Sequence, residues 1–272
     1  MKNVLSKIFE KENRIIIGVI HFPPLLGYKE FPGLEMANQN AIKDLIAFEE
    51  GGIDGIIIEN NYDIPHKIII EKRNIDLLIK LGKEIRKRTR LPIGVSVLWN
   101  DFKAALTIAK TINAQFVRVP VFVDKVETSY GIITGTPKDV IDYQRKIKAQ
   151  NIAIFTDIHV KHAKLLSKKN IEESALEAIK KGSDALIITG KWTGDAPDID
   201  ELKKVRETVN DFPILVGSGA NEKNIKNLLQ YANGAIVSTS LKEGGSKKNE
   251  VNVKSWKQRI DKNKVKRLVS II

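Results

Sequence analysis

The chain has 272 residues, 42% of them hydrophobic, with no cysteine and a formal net charge of +12. That length suits one large α/β domain, and the apolar content excludes a disordered chain. Disulfides, thiol nucleophiles and Cys-ligated zinc or iron–sulfur centres are excluded outright.

From the N-terminus, residues 1–12 mix charges with short apolar groups and lack the apolar core of a signal peptide. No apolar run reaches the roughly 18 residues needed to span a bilayer, so a cytoplasmic protein is expected. Eight short runs rich in β-branched residues follow: Ile15–Ile20, Gly55–Glu59, Ile93–Leu98, Phe116–Val121, Ile152–Asp157, Ala185–Thr189, Ile214–Gly217 and Ala235–Ser238. Each is nearly continuous in apolar character, as suits strands covered on both faces of a parallel sheet. Between them, Leu34–Glu50, Ile75–Thr89, Asp101–Ile112, Pro137–Gln150, Ile171–Lys180, Ile199–Val209 and Glu222–Gln230 carry apolar residues at helical spacing, and Val253–Ile260 supplies the eighth helix. Thr136-Pro137 reads as an N-cap followed by proline at the first helical position.

Strict alternation of strand and helix means a parallel sheet, and eight repeats in this length mean an α/β fold of the closed (β/α)8 TIM-barrel type, one domain over 1–272. Residues 14–255 form its core and 256–272 a basic C-terminal helix. An open doubly wound sheet is disfavoured because His21-Phe22-Pro23-Pro24, not a glycine fingerprint, follows the first strand. The helix-to-strand junctions Gly52-Ile53-Asp54-Gly55 and Gly182-Ser183-Asp184-Ala185 lie at the opposite face, so Asp54 and Asp184 read as structural.

Barrel enzymes draw their catalytic groups from the C-terminal strand ends. Here those ends offer His21; Glu59, Asn60 and Asp63; Asn100 and Asp101; Arg118; Asp157, His159, Lys161 and His162; Thr189 and Gly190; Gly217, Ser218 and Gly219; and Ser238 and Thr239. In an extended strand Asp157, His159 and Lys161 share a face. They would then perform proton transfer, and the amine could form a Schiff base if its pKa were depressed. A divalent metal on Asp157, His159 and Glu59 is a further possibility, although no cofactor is required. Glu59, Asp101 and His21 would orient hydroxyls or share the acid–base work. Glu59 and Arg118 could equally be a plain ion pair, and Asp101 a helix cap.

Gly217-Ser218-Gly219 permits close backbone approach to a ligand, and the loops after the seventh and eighth strands often hold phosphate in barrels. Ser238, Thr239 and Lys242 would join that site, with Asn60, Asn100, Arg118, Thr189 and Gly190 around the substrate. The segment Val123–Thr136, with two glycines, has the make-up of a lid; Trp192-Thr193-Gly194-Asp195 is a second mobile segment. Between Lys242 and Arg267 ten Lys/Arg stand against three Asp/Glu. This reads as a solvated face or contact with an anionic membrane surface. Its one aromatic residue, Trp256, makes no interleaved stacking series, so no nucleic-acid partner is expected; a homo-oligomer is compatible.

Together, Gly18-Val19-Ile20-His21-Phe22-Pro23-Pro24-Leu25, Asp54-Gly55 with Glu59-Asn60 and Asp63, Leu98 with Asn100-Asp101, Asp157-Ile158-His159-Val160-Lys161-His162, Thr189-Gly190 with Thr193-Gly194, and Gly217-Ser218-Gly219 resemble the BtpA/SgcQ family from about Arg14 to Ser255. The resemblance implies a barrel of the ribulose-phosphate-binding type, in keeping with the phosphate site, but no assigned reaction; the rim residues themselves are compatible with an enzyme acting on a small phosphorylated metabolite, such as a sugar phosphate or nucleotide-like compound, by lyase, isomerase or glycosidic hydrolase chemistry. The resemblance also implies an alternative, a non-catalytic assembly factor, because the family takes its name from photosystem I biogenesis. Leu26-Gly27-Tyr28 stands where a second proline turn is expected, and Trp99 where a basic residue is expected.

Overall fold

A computed structural model describes residues 4–245 and 252–272. Eight parallel strands close into a barrel: β1 (Ile15–His21), β2 (Gly55–Glu59), β3 (Ile93–Ser96), β4 (Phe116–Val119), β7 (Ala153–Ile158), β9 (Ala185–Ile188), β10 (Ile214–Val216) and β11 (Gly234–Val237), with β11 returning to pair with β1. Their alternate residues build two apolar layers. Inward-facing Ile15, Ile17, Ile57, Phe116, Phe155, Ile187 and Leu215 fill the barrel. Outward-facing residues such as Ile16, Ile58, Val117, Ile154 and Val216 pack beneath the helices. This double burial explains why the strand sequences are continuously apolar.

The surrounding helices are α2 (Leu34–Gly51), α3 (Lys72–Arg86), α4 (Phe102–Thr111), α5 (Pro137–Lys146), α6 (Ile171–Lys180), α7 (Ile199–Val209), the short α8 (Ile225–Leu228) and α9 (Lys262–Ser270). Thr136 precedes α5 as expected but makes no side-chain cap. The eighth helix lies later than expected. Residues 253–260 are not helical, and Asp261 caps a helix starting at Lys262 by accepting from the N–H groups of Asn263 and Lys264. Asp261 is the ordinary N-cap signal, and it outweighs the apolar spacing upstream.

An additional helix, α1 (Val4–Phe9), buries Leu5 and Phe9 against the barrel's inner layer, and Phe9 meets Phe116 edge-on. It closes the N-terminal opening. At the same face the junction residues repeat one device. Asp54 accepts a hydrogen bond from Ile16 N at 2.7 Å, Asp184 from Ile154 N at 2.8 Å, Gln115 from Ile93 N at 2.8 Å and Asn233 from Ile214 N at 2.9 Å. Each carries the side chain leading into one strand to the first amides of its neighbour. The structural reading of Asp54 and Asp184 therefore holds.

The segment expected to be a lid is instead an antiparallel hairpin, β5 (Lys125–Thr128) and β6 (Gly131–Thr134), which β8 (Ala163–Leu165) extends to three strands. Val126 and Ile133 bury against Trp99, Val121 and Val160, so this small sheet is anchored to the mouth by its own apolar cluster. No helix among the described residues is long and apolar enough to cross a membrane.

Candidate functional site

A cavity of about 690 Å³ occupies the C-terminal mouth of the barrel. His21, Glu59, Arg118, Lys161, Gly217, Ser218, Gly219, Ser238 and Thr239 line it, so these nine expected residues do converge. The polar floor is an ordered set. Arg118 donates to Asp157 through Nε (2.8 Å) and Nη2 (2.7 Å), and its Nη1 lies 4.0 Å from Glu59 Oε2. Burial works against the Arg118 charge, but Asp157 and then Glu59 more than offset it. His21 Nε2 lies 3.4 Å from Glu59 Oε1, and Ser238 Oγ lies 3.4 Å from His21 Nδ1. Burial lowers the His21 pKa, and the contact with Glu59 works the other way. For Glu59 burial pushes the pKa up, but the contacts with His21 and Arg118 prevail and hold it at about 2. Glu59 is thus a fixed carboxylate rather than a proton donor.

Lys161 stands over this floor. Its backbone N–H is fixed by Thr189 Oγ1 at 3.0 Å, and its side chain faces the cavity. Burial, with the nearby Arg118 charge adding to it, lowers its pKa to about 8; Glu59 and Asp157 only partly restore it. An amine that titrates near neutrality in a cleft is suited to proton transfer or carbonyl capture.

The remaining expected residues serve as braces. Strand β7 ends at Ile158, and His159 takes a left-handed φ of 50°, so the alternation that would align His159 with Asp157 and Lys161 stops there. The His159 ring turns outward to Ser174 Oγ (3.3 Å), and its backbone N–H donates to the Asp124 carboxylate. Asp157 faces Arg118 rather than the cavity. Asp157, His159 and Glu59 accordingly do not form a metal-ligand set, and no other cluster of three or more His, Asp or Glu is placed to hold a metal among the described residues.

Asp101 caps α4 at Ala104 N (2.9 Å) and accepts from Ile70 N (3.0 Å). Asn60 ties Asp63 to both the N–H and the carbonyl of Leu98, and Asn100 exchanges two hydrogen bonds with the Val121 backbone. Thr189 holds Lys161, and Gly190 N donates to Ser218 Oγ. None of these five lines the cavity: each is spent on holding a rim loop. Lys242 is also sequestered. Only 1% exposed, it donates to Tyr62 Oη at 2.9 Å and lies over that ring.

The loops after β10 and β11 form one wall. Ser218 Oγ bridges Gly190 N and the Asp195 carbonyl, and Ser240 Oγ donates to the Ala220 carbonyl, linking the two loops. Gly219 has a φ of +68°, and a Cβ there would sit 2.0 Å from Ala196 N. The glycine therefore admits the neighbouring loop as well as facing the cavity, a packing role in addition to the one expected. Among the described residues the backbone N–H groups of Gly219, Ala220, Thr239 and Ser240 have no hydrogen-bond acceptor within the protein. They are donors available to an anion at the cavity wall.

Sequence reading missed His66, in the 60–71 connection after β2. It is 5% exposed, lines the cavity and packs edge-on against Tyr130 at 5.2 Å. The signal was the length of that connection, which exceeds the usual two to six residues for a strand-to-helix loop. His162 lines the cavity too, bonded through Nε2 to Thr193 Oγ1 at 2.7 Å and packed on Trp192.

A protein of Pyrococcus horikoshii is 38% identical over 243 residues, covering 89% of this chain and 92% of that one. The photosystem I biogenesis protein BtpA of Synechocystis is 34% identical over 245 residues, covering 89% of this chain and 85% of that one. Among solved structures, (S)-3-O-geranylgeranylglyceryl phosphate synthase from Thermoplasma acidophilum superimposes with a TM-score of 0.61 over 100% of this chain and 99% of that one, at 16% identity. That likeness shows the barrel fold. The BtpA family model matches residues 12–271, and on this match the chain belongs to the BtpA family.

Proposed function

We propose that the protein is an enzyme acting on a small phosphorylated metabolite. The phosphate would lie against the backbone N–H groups of Gly219, Ala220, Thr239 and Ser240, where an anion meets fixed donors without a counter-charge to displace. Lys161 would carry the proton, protonated at neutral pH and able to release it slightly above. Glu59 and Arg118 would hold opposite charges on either side of the reacting centre, and His21 would orient Glu59. The observation carrying this reading is the convergence of Arg118, Glu59 and Lys161 beneath one 690 Å³ cavity. Charges buried without a task cost stability. The family's barrel neighbours, including a synthase whose structure holds sn-glycerol-1-phosphate, agree with a phosphate ligand.

An assembly role like that of the Synechocystis relative would call on the basic C-terminal stretch as a docking face. Several of its charges are already paired to the barrel: Arg259 with Asp44, Lys262 with Glu50 and Arg267 with Glu222. Lys247 and Lys248 lie outside the described residues.

Thermal denaturation with inorganic phosphate, glycerol phosphate and ribose 5-phosphate tests the enzyme reading. A ligand at about 100 times its Kd adds roughly 2.7 kcal/mol, about 5 °C for a chain of this length. The shift should disappear in Thr239→Glu, whose carboxylate would occupy the anion wall. Absence of a shift with every phosphate compound would refute the reading.

A further inference from the structure

The cavity has two unlike halves. Around the barrel the strands run β1-β11-β10-β9-β7-β4-β3-β2. The loops after β10 and β11, with their free backbone donors, therefore occupy one arc of the mouth. The exits of the other six strands fill the rest, and those of β2, β3, β4, β7 and β9 contribute His66, Trp99, Tyr130, Val160, His162 and Trp192 to the lining. Trp99 is 6% exposed and fixed by the apolar cluster under the β5–β6 hairpin. Trp192, 51% exposed, stands at the outer edge. Flat side chains thus wall this side, and flat ligands gain most from such walls.

Two imidazoles interrupt the aromatic surface. Among the described residues, both ring nitrogens of His66 are buried without a hydrogen-bond partner, and so is Nδ1 of His162. Leaving a buried polar atom unpaired costs roughly 1–3 kcal/mol, so polar atoms held apart in an apolar wall are positions where ligand groups would gain by pairing. Burial keeps both rings neutral, with pKa values near 4. His66 can therefore offer one donor and one acceptor, and His162, whose Nε2 is taken by Thr193, one further nitrogen, rather than a charge. A simple sugar phosphate would leave the aromatic half and these three nitrogens unmatched, whereas a cavity of about 690 Å³ is large enough for a phosphate and a ring together.

We infer that the arc formed by His66, Trp99, Tyr130, His162 and Trp192 binds a flat, nitrogen-bearing ring, so that the substrate is a phosphorylated sugar carrying such a ring. The inference rests on the phosphate reading above for the other end of the molecule. The ring stacks on the aromatic side chains, and its edge atoms pair with His66 and His162.

Calorimetric titration tests it with ribose 5-phosphate, the four common nucleoside 5′-monophosphates, nicotinic acid mononucleotide and the matching nucleosides. Wild type should bind at least one ring-bearing phosphate at least tenfold more tightly than ribose 5-phosphate. His66→Phe keeps the flat surface and removes the nitrogens; it should abolish that preference while leaving ribose 5-phosphate binding unchanged. Should His66→Phe fold poorly, Trp192→Ala, at a half-exposed position, should weaken only the ring-bearing ligands. If ribose 5-phosphate binds and no ring-bearing phosphate outbinds it, the ring site is overturned and the phosphate reading stands. If nucleosides bind as tightly as nucleotides and Thr239→Glu changes neither, the ring site is supported and the phosphate reading fails. If nothing binds, both fail.

Discussion

Arg118 grips Asp157 at two points, Nε to Oδ1 at 2.8 Å and Nη2 to Oδ2 at 2.7 Å, with both side chains buried. A bidentate pair fixes the guanidinium plane as well as its position. It leaves Nη1 facing Glu59, so the carboxylate of Asp157 sets the orientation of the charge presented to the cavity.

Asp157→Ala should therefore act mainly on stability. Removing one partner of a buried pair costs about 3–5 kcal/mol, and the midpoint should fall by roughly 5–9 °C. Asp157→Asn retains one acceptor and should lie between. Thermal denaturation of the three proteins checks this order; equal midpoints would contradict it.

Lys161 should be the most readily modified cavity amine near pH 8. With a pKa of about 8, half of it is neutral there, whereas an ordinary lysine at about 10.4 is less than roughly 1% neutral. Competitive acylation across pH 6–11, followed by peptide mass spectrometry, would give its titration curve. A midpoint with the surface lysines would show that neither burial nor Arg118 perturbs it.

His66 should make the fold acid-sensitive. Its pKa is lowered by burial from 6.5 to about 4, so the unfolded chain takes up a proton below pH 6.5 while the folded chain resists until about pH 4. Stability present above pH 6.5 is lost as pH falls through that window, by up to about 3 kcal/mol. His66→Phe should flatten the decline in midpoint between pH 6.5 and 4. An unchanged slope would mean that His66 titrates in the folded protein as it does in water.

Asn233 should matter more than Asp54. Its side chain accepts from Ile214 N and Arg206 and donates to Glu12 O and Asn13, whereas Asp54 accepts from Ile16 N and pairs with half-exposed Lys11. Each buried partner left unpaired costs about 1–3 kcal/mol. Asn233→Ala should unfold at lower denaturant than Asp54→Ala, while phosphate binding by the folded protein stays as in wild type.

The barrel was legible because its code is periodic: eight apolar runs separated by amphipathic helices leave few alternative architectures. The site was legible as a location rather than as a set of roles. Sequence position put Asn60, Asn100, Asp101 and Thr189 at the mouth, but whether such groups face a ligand or brace a loop depends on one or two backbone angles. His159 shows this most clearly, since a single left-handed residue turns it from the cavity toward α6. His66 was missed because a lone histidine in a long loop has no spacing to read, and its role follows only from Tyr130 and the closed barrel around it.

The repeated side-chain acceptors at the N-terminal face divide labour between the two ends of the molecule. Asp54, Gln115, Asp184 and Asn233 index neighbouring strands where no ligand is expected. A change in a loop at the opposite mouth can then redraw the cavity without shifting the strands that carry Glu59, Arg118 and Asp157. Exchanging those upper loops between relatives should therefore transfer ligand preference like a cartridge, with the barrel's alignment preserved from below.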